Sequence, residues 1–159
     1  MLVSISNKAD GFTLFEVILV LILISIFATI AVIRQPSTDV SLKAGGSVLR
    51  AHIRYAQMRA MNTDEVWGIV FSGANYGLFR GTAANRFILP GETQDPVNLG
   101  DDGISIASIA PPVSQLGFDT WGRPMDQNGL LLTAPVTLTL SKGNQQETLT
   151  VTPDTGFIP

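Results

Sequence analysis

Glu16 is the single charge between Phe12 and Ile33, a run of 22 residues that reads FTLFEVILVLILISIFATIAVI. At the centre of a bilayer a lone carboxylate costs about 2.5–3.5 kcal/mol, so such a group is paired or held near the interface. Two accounts fit Glu16. It sits in the first turn of a helix, where the positive terminus favours an acid, or it faces a cation that neutralises it. The other residues with chemical potential are fewer. Asp119 and Arg123 flank Trp121-Gly122 and suit an ion pair across a turn. Asp126-Gln127-Asn128-Gly129 is a fragment of a calcium-loop pattern without the distal glutamate. His52 is the single histidine, and the chain has no cysteine. Thiolate metal sites, disulfides and a cysteine nucleophile are therefore excluded. With no Gly-x-Ser-x-Gly elbow and no phosphate-cradling glycine loop, hydrolase and nucleotide-binding readings have no support. No catalytic residue, metal or cofactor is expected, and the chain is not expected to be an enzyme.

The elements that carry these residues divide sharply. At 1.5 Å per residue, a helix over Phe12–Ile33 measures about 33 Å, enough to cross the hydrocarbon core. From Ser37 onward the chain carries 8 Lys and Arg against 11 Asp and Glu, an acidic water-soluble balance. The 45% apolar content is thus concentrated in one segment. A secretory signal cut near Thr29 and Ala31 fits the long apolar run poorly. A plain membrane anchor has no use for Glu16.

The short polar leader Met1–Gly11, its terminal glycine and the Phe12-Thr13-Leu14-Phe15-Glu16 text before the apolar run together resemble type IV prepilins and type II secretion pseudopilins. The resemblance implies cleavage between Gly11 and Phe12 by a membrane-embedded prepilin peptidase, followed by N-methylation of Phe12. It also implies that Glu16 is the family's assembly glutamate. The new Phe12 α-amine would lie four residues from Glu16, on a similar helical face. In a fibre, Glu16 could instead meet the amine of a neighbouring subunit and fix axial register.

Beyond the span, Pro36 is expected to interrupt the helix. Asp39 or Ser41 can cap a second helical stretch to Thr63, in which Leu42, Leu49, Ile53, Ala56 and Ala60 form an apolar stripe. Gly45-Gly46 is either a close-packing site or a compliant joint. Lys43, Arg50 and Arg54 share one face, with Arg59 further round, which reads as a solvated surface. Arg50 and Arg54 are weak candidates for DNA contact, and an acidic chain makes nucleic acid an unlikely partner. His52 borders the stripe and reads as structural.

After Thr63 the period becomes that of strands: Val66–Ser72, Tyr76–Arg80, Ile104–Ile109, Gln115–Phe118, Val136–Ser141 and Glu147–Thr152. Turns are expected at Gly73-Ala74-Asn75 and Lys142-Gly143-Asn144. Residues 81–103 read as a long surface loop. The expected fold is α+β and pilin-like, a long N-terminal helix with a transmembrane first half packed on an antiparallel sheet. Its parts are a leader (1–11), a transmembrane and fibre-core helix (12–33), an amphipathic continuation (34–63) and a β domain (64–159).

A second, looser resemblance covers the C-terminal domain. The Phe118-Asp119-Thr120-Trp121-Gly122-Arg123-Pro124 text, the Arg54–Met61 helix and the closing Asp154-Thr155-Gly156-Phe157 are similar to H-type minor pseudopilins and FimT-like minor pilins. It implies a structural subunit of a type II secretion pseudopilus that supports protein secretion. The alternatives are a minor type IV pilin in pilus assembly, adhesion or DNA uptake, and, from another class, a membrane-tethered binding domain. The implied partners are the prepilin peptidase, other pilins through the N-terminal helix, and the bacterial inner membrane, with the C-terminal domain in the periplasm.

Overall fold

The computed structural model describes residues 13–33 and 38–159. They form two compact units, one on either side of the boundary between Pro36 and Ser37. The first contains helix α1 (Leu14–Ile33). Thr13 caps it: its carbonyl accepts from the Glu16 and Val17 amides (3.0 and 3.2 Å), and its hydroxyl is 3.3 Å from the Glu16 nitrogen. Among the described residues no helix is long and apolar enough to cross a membrane. The span expected over Phe12–Ile33 begins outside those residues, as does the expected break at Pro36.

The second unit is a helix on two antiparallel sheets. Helix α2 (Thr38–Thr63) buries Leu42, Leu49, Ile53, Ala56 and Ala60, the stripe that the 3.6-residue period predicts. Asp39 and Ser41 lie inside this helix rather than capping it, because it begins at Thr38. The larger sheet contains β1 (Trp67–Ser72), β2 (Asn75–Arg80), β3 (Thr82–Phe87), β4 (Val97–Asn98), β6 (Gln115–Phe118) and β7 (Pro124–Met125). Its order is β3-β2-β1-β6-β7, with β4 also paired to β2. The smaller sheet is β5-β8-β9, from β5 (Ser105–Ala110), β8 (Val136–Lys142) and β9 (Gln145–Val151).

Helix α2 packs on β1 and β6 of one sheet and on β8 and β9 of the other. Ile69, Leu116 and Phe118 meet it from the first; Leu138, Leu140, Leu149 and Val151 complete the core from the second. Alternation sets this in β8, where Val136, Leu138 and Leu140 point inward and Thr137, Thr139 and Ser141 do not. The β8–β9 hairpin closes with Lys142 opposite Gln145 and Gly143 at φ 58°, a left-handed conformation that glycine adopts without a Cβ clash.

Residues 81–103 differ from the expected loop. They contain β3, β4 and a 3-10 turn (Leu99–Asp102), and they bury Leu89 and Leu99. Their sequence carries little apolar alternation. Order comes instead from pairing with β2 and from a bidentate Arg86–Asp95 ion pair (2.9 and 2.8 Å). That pair lies against Gly77, where a Cβ would sit 1.9 Å from the guanidinium and 2.1 Å from the carboxylate.

Candidate assembly and processing site

Glu16 is at the third residue of α1, and Thr13-Leu14-Phe15-Glu16 has the Thr-x-x-Glu spacing of a capping box. The Thr13 half of the box is formed, with its hydroxyl facing the Glu16 amide. A carboxylate here also meets the positive end of the helix and its unpaired N–H groups. The rest of α1 presents no charge. Leu14, Phe15, Val17 to Ile24, Ile26 and Phe27 are all exposed, so the helix is apolar on every side. A helix of that kind needs lipid or other protein around it. Ser25 returns its hydroxyl to the Leu21 carbonyl (2.7 Å), which satisfies the hydroxyl within the helix. Gly11 and Phe12, the expected cleavage and methylation residues, lie outside the described residues.

The basic face of α2 is solvated only in part: Lys43 and Arg54 are exposed as expected, whereas Arg50 and Arg59 are half-buried. Arg50 is 3.8 Å from the Glu147 carboxylate on β9, and both side chains are less than a third exposed. Arg54 donates to the Ile158 carbonyl at 2.5 Å. The Arg59 guanidinium lies 4.7 Å from the centre of the Trp67 ring, a cation–π contact. Lys43 pairs with Asp39 in solvent. Three arginines thus tie the helix to β9, to the C-terminal segment and to β1. Sequence spacing shows which residues share a face; it does not show what the fold lays over that face.

Gly45 and Gly46 are a close-packing site. A Cβ on Gly45 would stand 2.5 Å from Ile104 Cδ1, and one on Gly46 would stand 2.6 Å from the Glu147 carboxylate. His52 is buried and structural, bonded to the Tyr76 hydroxyl and the Pro90 carbonyl. Gln57, which the sequence did not single out, bridges the Gly122 and Thr155 carbonyls at 2.8 Å each and joins α2 to two distant turns.

Asp119 and Arg123 pair as their spacing predicts, at 2.7 Å. Asp119 also accepts from the Trp121 and Arg123 amides, so its carboxylate builds the turn. Asp126 does the same for the next turn, where the Leu130 and Asn128 amides hold its carboxyl below the usual range. Each carboxylate is engaged locally, in its own turn. Among the described residues, no group of three His, Asp or Glu could hold a metal ion.

Residues 6–32 match the family described as the prokaryotic N-terminal methylation motif. The fold is similar to that of the Pseudomonas aeruginosa type IV minor pilin FimU in two crystal forms. In space group P21 the TM-score is 0.54 at 14% identity, over 78% of this chain and 91% of that one. In space group P65 it is 0.54 at 15% identity, over 74% and 90%. The chain is prepilin-like at its N-terminus and pilin-like in fold. No protein of curated function matches it. The pilin-like chain thus has the α+β architecture that its N-terminal motif implies.

Proposed function

We propose that this chain is a minor structural subunit of a type IV pilus or a closely related fibre. The observation that carries the reading is the methylation motif over residues 6–32, joined to a domain of pilin fold. In this reading a prepilin peptidase removes residues 1–11 by cutting between Gly11 and Phe12, and Phe12 becomes the N-methylated terminus. Residues 12–33 first anchor the chain in the bacterial inner membrane, with the C-terminal domain in the periplasm. They later form part of the fibre core, and 34–63 and 64–159 supply the amphipathic helix and the β domain. Transfer from membrane to fibre is physically easy because lipid tails and neighbouring apolar helices cover such a surface about equally well. The other pilin subunits are partners through this helix. The role is structural, and the reaction involved is performed on the chain by the peptidase.

Between the two machines, the likeness to a minor pilin favours the pilus. The pseudopilin reading rests on the Phe118–Pro124 text and places the same subunit in type II secretion. The intact mass of protein purified from membranes tests the shared reading. Loss of Met1–Gly11 with one added methyl group is expected. A mature chain starting at Val32 would mean an ordinary export signal and would overturn it.

A further inference from the structure

Trp121 exposes 77% of its surface, whereas Trp67, the other tryptophan, exposes 3%. Its backbone is closely held. Asp119 accepts from the Trp121 amide (3.0 Å), the Arg123 amide (2.8 Å) and Arg123 Nε (2.7 Å), and the Gly122 carbonyl accepts from Gln57. A large indole is thus displayed to solvent on a fixed turn. It lines an open pocket of about 490 Å³ with Met61, Asn62, Thr63, Asp64 and Thr120.

The Thr63 hydroxyl is already engaged, donating to the Arg59 carbonyl and accepting from the Trp67 indole, whereas other polar atoms here keep free bonding capacity. Asn62 donates its amide to the Met58 carbonyl, which leaves its Oδ1 unbonded. The Asp64 carboxylate, the Thr120 hydroxyl and the Trp121 indole N–H have no hydrogen-bond partner among the described residues. Asp64 follows the end of α2 at φ 55°, a left-handed conformation that fixes its position beside the pocket.

We propose that this pocket is a binding site for a neutral saccharide. A pyranose ring has a C–H face to lay against the Trp121 indole and the Met61 thioether. Its hydroxyls can donate to Asn62 Oδ1 and the Asp64 carboxylate and accept from the Thr120 hydroxyl and the indole N–H. An apolar peptide would bury those groups unpaired, which is costly. A basic side chain would answer the Asp64 charge and the indole face, yet would leave the Asn62 acceptor and the Thr120 hydroxyl with less to bind. The pocket is shallow, so single-site affinity is weak, and repeated sites are the natural way to strengthen attachment. The site depends on the folded domain and not on whether the chain enters a fibre.

The test uses the full chain in a polyoxyethylene detergent, which carries no sugar headgroup. Maltotriose, chitotriose, mannotriose and lactose are each titrated to about 10 mM, a range suited to weak sites. At least one is expected to shift the Trp121 emission to the blue and to protect it from iodide quenching. Saturation-transfer NMR on the saccharide protons then reads the variants. Trp121→Ala should abolish the transfer, and Trp121→Phe should weaken binding by about three- to tenfold, in keeping with an aromatic anchor. Circular dichroism and the unfolding midpoint show that both variants remain folded. The proposal is overturned if no saccharide of the panel perturbs Trp121. It is equally overturned if arginine ethyl ester binds there and the saccharides do not.

Discussion

The Nδ1 atom of His52 lies 2.9 Å from the hydroxyl of Tyr76, and both residues are buried, at 5% and 1% exposure. The other ring nitrogen is 3.1 Å from the Pro90 carbonyl. A carbonyl only accepts, so Nε2 carries the hydrogen, and in the neutral ring Nδ1 takes the Tyr76 proton. The pair therefore satisfies a polar group in the core and links α2, β2 and the segment after β3. Tyr76→Phe removes the donor and leaves Nδ1 buried without one. It should cost about 1–3 kcal/mol in urea unfolding, while His52→Ala should cost at least as much because it also leaves the Pro90 carbonyl unpaired.

The burial of Tyr76 gives stability a dependence on alkali. Burial, and then the nearby Glu92 carboxylate, push the Tyr76 phenol well above its ordinary value. The folded chain holds this proton more tightly than the unfolded chain does. The Tyr76 contribution is therefore complete below the ordinary phenol value of about 10 and is lost as pH rises from there towards the folded value. The unfolding midpoint of the wild type should fall over that window more steeply than that of Tyr76→Phe. Equal slopes would show that Tyr76 is not the group responsible.

Periodicity made the apolar face of α2 legible, as it did most of the strands, because burial repeats every 3.6 or 2 residues whatever the partner. The contacts that orient the helix were not legible. Arg54 and Ile158 are 104 residues apart, and Gln57 and Thr155 are 98 apart. Nothing local marks either pair. In β3, only Phe87 is a large apolar residue, and the strand forms because β2 offers it a backbone edge. Glu16 is the opposite case: one acid in an apolar run is visible from sequence alone, and its place in the first turn of α1 adds a physical reason for its position.

Glycine positions separate two kinds of crowding. At Gly68 in β1, an added Cβ would stand 2.4 Å from the Leu116 carbonyl oxygen and 2.7 Å from Gly117 Cα, both backbone atoms of β6. At Gly46 it would meet the movable end of Glu147. Gly68→Ala should therefore destabilise by about 1–3 kcal/mol, the usual cost of overpacking. Gly46→Ala should come out near neutral, since the helix gains about 1 kcal/mol when alanine replaces glycine. Denaturant midpoints compare the two directly.

Arg50 and Glu147 form a partial pairing. Their closest approach is 3.8 Å, and Arg50 Nε and Glu147 Oε2 are buried without a hydrogen bond. Removing one partner strands the other charge at the α2–β9 contact, whereas replacing both with apolar residues removes the problem. Arg50→Met alone should thus be more destabilising than Arg50→Met with Glu147→Leu. The coupling measured in a double-mutant cycle should fall at about 0.5–3 kcal/mol. Arg50→Met is also expected to leave nucleic-acid affinity unchanged, which a gel-shift titration against wild type would check.

Glu16 has two properties that one substitution can separate. The Thr-x-x-Glu spacing offers its side chain an acceptor role at the helix N-terminus, and glutamine can fill that role as well as glutamate. Its proposed role in assembly needs the negative charge, which answers the methylated amine of Phe12 in its own or a neighbouring subunit. Glu16→Gln and Glu16→Ala should both be cut after Gly11 and methylated normally. If charge pairing governs assembly, both variants should enter fibres poorly. A reduction of about tenfold corresponds to about 1.4 kcal/mol of lost pairing. If capping alone matters, Glu16→Gln should assemble like wild type and only Glu16→Ala should fail. Quantifying each variant in sheared fibres against the membrane pool distinguishes these outcomes, and normal incorporation of Glu16→Gln would remove the charge from the mechanism.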